Sequence, residues 1–164
     1  MEFARKNITL QMNNLLDWEW RRRLPFVHQT ESAECGVACL TMIAGWYGYR
    51  IDLSGLRSKF AVSQHGMTFS RLMECAETLN LTGRAVRLEL NELGQLALPC
   101  ILYWDMNHFV VLKKVCSNYI ELHDPAVGRV KMTLDKASRY FTGIALELTP
   151  THHFERRNEK KKSP

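Results

Sequence analysis

Cys100-Ile101-Leu102-Tyr103-Trp104-Asp105-Met106-Asn107-His108-Phe109-Val110-Val111-Leu112-Lys113-Lys114-Val115 holds two apolar runs of strand length, Cys100 to Trp104 and Phe109 to Val115. Between them lies the turn-like Asp105-Met106-Asn107. Apolar runs this short, bounded by turn residues, read as strands of a buried hairpin. Downstream the strand period continues in Tyr119 to His123, Arg129 to Leu134 and Gly143 to Leu148, with a short helix near Asp135 to Tyr140. Upstream, Ala85 to Leu90 alternates apolar and polar residues. Before residue 80 the period changes. Val37, Leu40, Met42, Ile43 and Trp46 recur at helical spacing from Cys35, and Gly45 and Gly48 mark the end. Asp52 can cap a second helix through Lys59, and Thr68 a third with Leu72, Met73, Ala76 and Leu79 facing inward. Helices first and consecutive strands afterwards predict an α+β fold, an antiparallel sheet covered by N-terminal helices.

The 164 residues form one domain of ordinary size, with 46% apolar and 24% charged residues. The longest apolar run, Leu96 to Trp104, is far short of the roughly 20 residues that span a bilayer. Met1 to Lys6 has no apolar core of the kind a secretory leader needs. The expectation is a soluble domain. The net charge of +5 lies in residues 1–23 (+2) and 151–164 (+3), whereas the body sums to zero. A nucleic-acid binder more often carries a basic stripe across its folded face. The polar end from His152 to Pro164 is expected to be unpacked, as a solvated tail or a basic segment preceding a membrane span. Five cysteines, with no CxxC pair, argue for free thiols in a reducing compartment.

Cys35 sits where helix periodicity begins and is followed by Gly36, which leaves its sulfur unobstructed. A helix start favours the thiolate, the nucleophilic form, and this singles out Cys35 from four cysteines that read as core. A thiolate needs a base, and the base an orienting group. His108 opens a buried strand, and Asp124 closes the next one just before Pro125. In a hairpin these two ends are neighbours. Register is the test. With a regular two-residue turn at Ser117-Asn118, Val111 faces Asp124 and His108 points to the other side. With a three-residue turn or a bulge, Val110 faces Asp124 and shares its face with His108. The catalytic reading requires the second arrangement. Gln29, six residues before Cys35, can reach back to join the Cys35 N–H as an oxyanion donor. His123 should point to the opposite face. A zinc site from Cys35, Cys39 and a histidine lacks the usual paired spacings, so no metal is expected. No phosphate-binding GxxxxGK[ST] loop is present.

The stretch Gln29 to Ile43 with Trp46-Tyr47-Gly48, the block Asp52 to Arg57, the block Asn107 to Leu112 and the block His123 to Gly128 resemble the bacteriocin-processing cysteine peptidases at the N-termini of ABC exporters. The resemblance runs from about Pro25 to Leu148 and is nearest the colicin V and microcin secretion type, helped by Arg139 to Gly143. It implies a papain-like fold over 25–150, an N-terminal extension over 1–24, and a basic juxtamembrane linker or tail over 151–164. It further implies removal of a double-glycine leader from a bacteriocin or microcin precursor on the cytoplasmic face of the inner membrane, before export. Cys35 would be nucleophile, His108 base and then acid, Asp124 its orienter and Gln29 the oxyanion donor. Met67, Phe69, Leu72 and Trp104 are the candidates for the leader groove. Implied partners are the leader peptide, membrane and nucleotide-binding domains of the same exporter and accessory export proteins. ATP would belong to a downstream domain, with no cofactor in this chain. Two other readings remain: a docking module that binds the leader without cutting, and a Cys-His-Asp acyl transferase or deamidase.

Overall fold

The computed structural model describes residues 22–105 and 107–160. A 3-10 turn, Ser32–Glu34, runs straight into helix α1, Cys35–Tyr47. Val37 to Leu40 and Met42 to Ala44 have no exposed surface, so α1 is apolar on every side and occupies the centre of the domain. Gly48 ends it at φ 105°, donating to the carbonyls of Ala44 and Gly45, a left-handed cap that glycine adopts at no steric cost. Helix α2, Leu53–Lys59, begins after Asp52, and helix α3, Phe69–Thr78, is capped by the Thr68 hydroxyl accepting from the Arg71 N–H at 3.1 Å. Leu72, Cys75 and Ala76 make the inward face of α3, with Met73 half-buried against the core and Leu79 buried just past the helix end.

The second half forms a six-stranded antiparallel sheet. Its strands in chain order are β2 Leu81–Arg87, β3 Cys100–Trp104, β4 His108–Val115, β5 Tyr119–Asp124, β6 Gly128–Thr133 and β7 Phe141–Pro150. Spatially they run β2-β7-β3-β4-β5-β6. β3 and β4 are apolar throughout because both faces are covered. Ile101, Phe109, Val111, Leu146 and Leu148 pack toward the helices. Cys100, Leu102, Val110, Leu112, Ile120 and Leu122 pack the other way, under a 3-10 segment, Leu90–Gln95, and the short helix α4, Leu134–Ala137. None of the helices among the described residues is long and apolar enough to cross a membrane.

Three expectations need correction. The first strand spans Leu81–Arg87 rather than Ala85–Leu90, and Leu90 opens the 3-10 segment. Leu24 is buried in the core, so the domain begins before Pro25; residues 1–21 lie outside the described residues. The stretch from Phe154 to Glu159 is not unpacked. Phe154 packs on Tyr47, and β8, Arg157–Asn158, pairs in parallel with β1, Tyr49–Arg50. The buried Tyr49 hydroxyl donates to Glu159 at 2.8 Å. Local polarity concealed this because only one side chain, Phe154, carries the apolar contact. Residues 161–164 lie outside the described residues.

Candidate active site

Cys35 begins α1 and is 3% exposed, with its backbone at the end of the helix where amides are unpaired. His108 opens β4 and Asp124 closes β5. The β4–β5 hairpin starts from the two-residue turn Ser117-Asn118, with Val115 opposite Ile120 and Lys114 opposite Glu121. A bulge follows at Lys113, beyond which Leu112 lies opposite Leu122 and Val111 opposite His123. This is the register in which Val110 comes level with Asp124. His108 Nε2 accordingly lies 2.7 Å from Asp124 Oδ1. Cys35 lies within interaction range of the same ring. Asp124 Oδ1 also accepts from the Ala126 N–H at 2.9 Å, which holds the carboxylate in place.

Burial of the ring on its own would push the His108 pKa down. The hydrogen bonds and charges of Asp124 and Cys35 outweigh it and raise the value to about 9. At neutral pH the ring between the sulfur and the carboxylate is therefore an imidazolium. His123, next to Asp124, points to the opposite face as expected: its Nδ1 bonds the Pro25 carbonyl at 3.0 Å and burial lowers its pKa.

Gln29 is brought to the same end of the sheet by its backbone. Its N–H donates to the Pro125 carbonyl at 2.9 Å, immediately after Asp124. Its side-chain oxygen is buried with no hydrogen-bond partner. Glu34, directly before Cys35, is a buried carboxylate. It accepts from the Thr30 N–H and hydroxyl and from the Glu31 N–H, and it pairs with Arg57 of α2 at 2.7 Å.

A cleft of about 450 Å³ opens beside Cys35, lined by Ser32, Ala33, the loop from Ser63 to Phe69, Tyr103 and Asn107. Met67 and Phe69 thus line this cleft. Leu72 and Trp104 do not. Leu72 is fully buried as a core residue of α3, and Trp104, 4% exposed, stacks on Tyr140 at 5.6 Å on the far side of the sheet. Tyr103 and Asn107 were missed. The Tyr103 hydroxyl donates to Asn107 Oδ1 at 2.9 Å, and Asn107 sits at φ 64°. The available signal was the turn-forming asparagine before His108, since Asn tolerates the left-handed region better than most residues. Among the described residues no cluster of three His, Cys, Asp or Glu side chains could hold a metal.

Residues 23–153 match the peptidase C39 family. The chain is 54% identical over 144 residues to the probable microcin-H47 secretion/processing ATP-binding protein MchF of Escherichia coli, which covers 88% of this chain and 21% of that protein. It is 52% identical over 145 residues to the colicin V secretion/processing ATP-binding protein CvaB of Escherichia coli, with the same coverage of 88% and 21%. The chain therefore spans about a fifth of the length of these relatives. Its structure matches the crystal structure of a double glycine motif protease from an AMS/PCAT transporter in complex with the leader peptide. The TM-score is 0.74 at 36% identity, over 80% of this chain and 94% of that one. The peptidase domain of Streptococcus ComA has the same fold, with a TM-score of 0.72 at 24% identity over 79% of this chain and 100% of that one. The architecture is the papain-like one of these domains.

Proposed function

Because the chain belongs to the peptidase C39 family, we propose that this cysteine peptidase cuts a bacteriocin or microcin precursor after a Gly-Gly pair and so removes its leader. The observation that carries the reading is the single imidazole of His108, hydrogen-bonded to Asp124 and within interaction range of Cys35. The attacking form is the sulfur anion beside the imidazolium. It adds to the carbonyl of the second glycine. The oxyanion that forms accepts from the Cys35 N–H, at the helix end, and from the Gln29 carboxamide. His108 then gives its proton to the leaving amine, and the C–N bond breaks. The resulting thioester is hydrolysed by a water that gives its proton to the ring as it attacks, which expels the sulfur anion beside the restored imidazolium and releases the leader as its carboxylic acid. Asp124 keeps the ring aligned and supports its charge throughout.

The leader lies in the cleft between the 63–69 loop and Tyr103. The names of the relatives, and the fifth of their length that this chain matches, support placing it at the cytoplasmic face of an ABC exporter whose other domains span the membrane and use ATP.

The test is mass spectrometry of a double-glycine precursor incubated with the chain under reducing conditions, beside Cys35→Ala. One cut directly after the second glycine, lost in the variant, is the expected result. Saturable leader binding by both proteins without cutting would make the domain a docking module. A mass gain of about one dalton on an intact peptide, the replacement of an amide by an acid, would make it a deamidase.

A further inference from the structure

Gln29 carries a carboxamide whose buried oxygen has no hydrogen-bond partner, so its backbone anchors fix where the side chain sits. There are two anchors. One is the bond from the Gln29 N–H to the Pro125 carbonyl. The other is the Glu34 carboxylate, which gathers the Thr30 and Glu31 amides and the Thr30 hydroxyl onto one oxygen. Its second oxygen faces Arg57 Nη1 at 2.7 Å, with the Glu34 side chain only 3% exposed and that of Arg57 40% exposed. Burial pushes the Glu34 carboxyl up, but the Thr30 and Glu31 hydrogen bonds and the Arg57 charge together bring it below its ordinary value. Arg57 is the cation that faces this carboxylate, and it comes from α2, an element with no other part in the site. A protonated Glu34 would accept fewer bonds and release the segment that carries Gln29.

We propose that Arg57 is a positioning residue for the peptidase reaction: its ion pair fixes the Glu34 carboxylate against the 30–31 amides and thereby holds Gln29 at the oxyanion position. The proposal rests on the reading of Gln29 given above.

The experiment compares wild type, Arg57→Met and Arg57→Lys, each checked for folding by circular dichroism. Removing an oxyanion donor outright costs about 10²–10³ in kcat, so loosening one should cost between about 10- and 100-fold. Arg57→Met is expected to show that loss with KM within about twofold. Its acid limb of kcat should move to higher pH, because Glu34 then protonates more readily. Alkylation of Cys35 by iodoacetamide should keep its wild-type rate, since the sulfur and His108 are untouched. Arg57→Lys should recover most of the loss. Wild-type kcat with an unmoved acid limb in Arg57→Met would overturn the proposal, as would an equal fall in alkylation rate. Hydrogen exchange at the Thr30 and Glu31 amides, expected to quicken at least tenfold in Arg57→Met, is independent of activity. If wild type cuts no double-glycine precursor, the proposed function fails, and exchange alone decides: quickened exchange supports the clamp and unchanged exchange refutes it.

Discussion

On the proposed function, the chemistry at position 35 depends on one sulfur atom, and the fold does not. Cys35→Ala is expected to lower kcat by more than about 10⁴-fold while leaving the unfolding midpoint within a few degrees, measured by a discontinuous cleavage assay and thermal unfolding. His108→Ala should be as severe. Asp124→Asn keeps an acceptor for the ring but loses its charge, a difference of about 1–2 kcal/mol that corresponds to roughly tenfold in rate. That variant also has a pH signature. The His108 pKa is higher in the folded chain, about 9, than the ordinary 6.5, so protonation stabilises the fold fully below 6.5 and that contribution vanishes as pH rises through 9. Wild type should therefore be more stable than Asp124→Asn at pH 6 and approach it by pH 10 in denaturant titrations. The alkaline limb of its activity should also lie at higher pH. These residues were legible because each stands at the end of an element, where a polar side chain has no packing reason to be. Arg57 was not legible, since its partner is 23 positions away and on a different helix.

At the scale of elements, the hairpin shows how far periodicity reaches. The runs from Cys100 to Trp104 and from Phe109 to Val115 were readable as strands, and Ser117-Asn118 as their downstream turn. The choice of register was not, because one extra residue at Lys113 reverses every facing beyond it and leaves no mark in composition. Only the chemistry required of His108 favoured the bulged form. Helix α1 offers a second case. A Cβ at Gly45 would stand 2.8 Å from Pro25 Cγ. Alanine there gains about 0.5–1 kcal/mol of helix preference, against roughly 1–3 kcal/mol for overpacking at the Pro25 ring. The clash should win. Gly45→Ala is expected to lose about 1–2 kcal/mol in urea unfolding, and to disturb the Pro25 carbonyl that His123 bonds.

Across the whole molecule, two layers assemble around α1, whose first residue serves the site and whose last turn meets β1. Thirteen residues at 1.5 Å each set these ends about 20 Å apart. Removing everything after Pro150 deletes the Phe154 contact on Tyr47, the β1–β8 pairing and the partner of the Tyr49 hydroxyl. A half-buried aromatic ring and an orphaned hydroxyl together amount to roughly 2 kcal/mol, a drop of several degrees in Tm by calorimetry. Cleavage well below that temperature should be unchanged, because the loss falls at the end of α1 away from Cys35. The sequence concealed this closure for the reason that it concealed the clamp: neither has a period, and both join segments distant in the chain. The proposed nucleophile belongs to the first helix and its proposed base to a strand some seventy residues later. At ribosomal rates of about 5–20 residues per second, the thiol is made roughly 4 to 15 s before the ring that activates it. A nascent chain is thus an inert thiol protein until the strands that carry His108 and Asp124 have been made and paired.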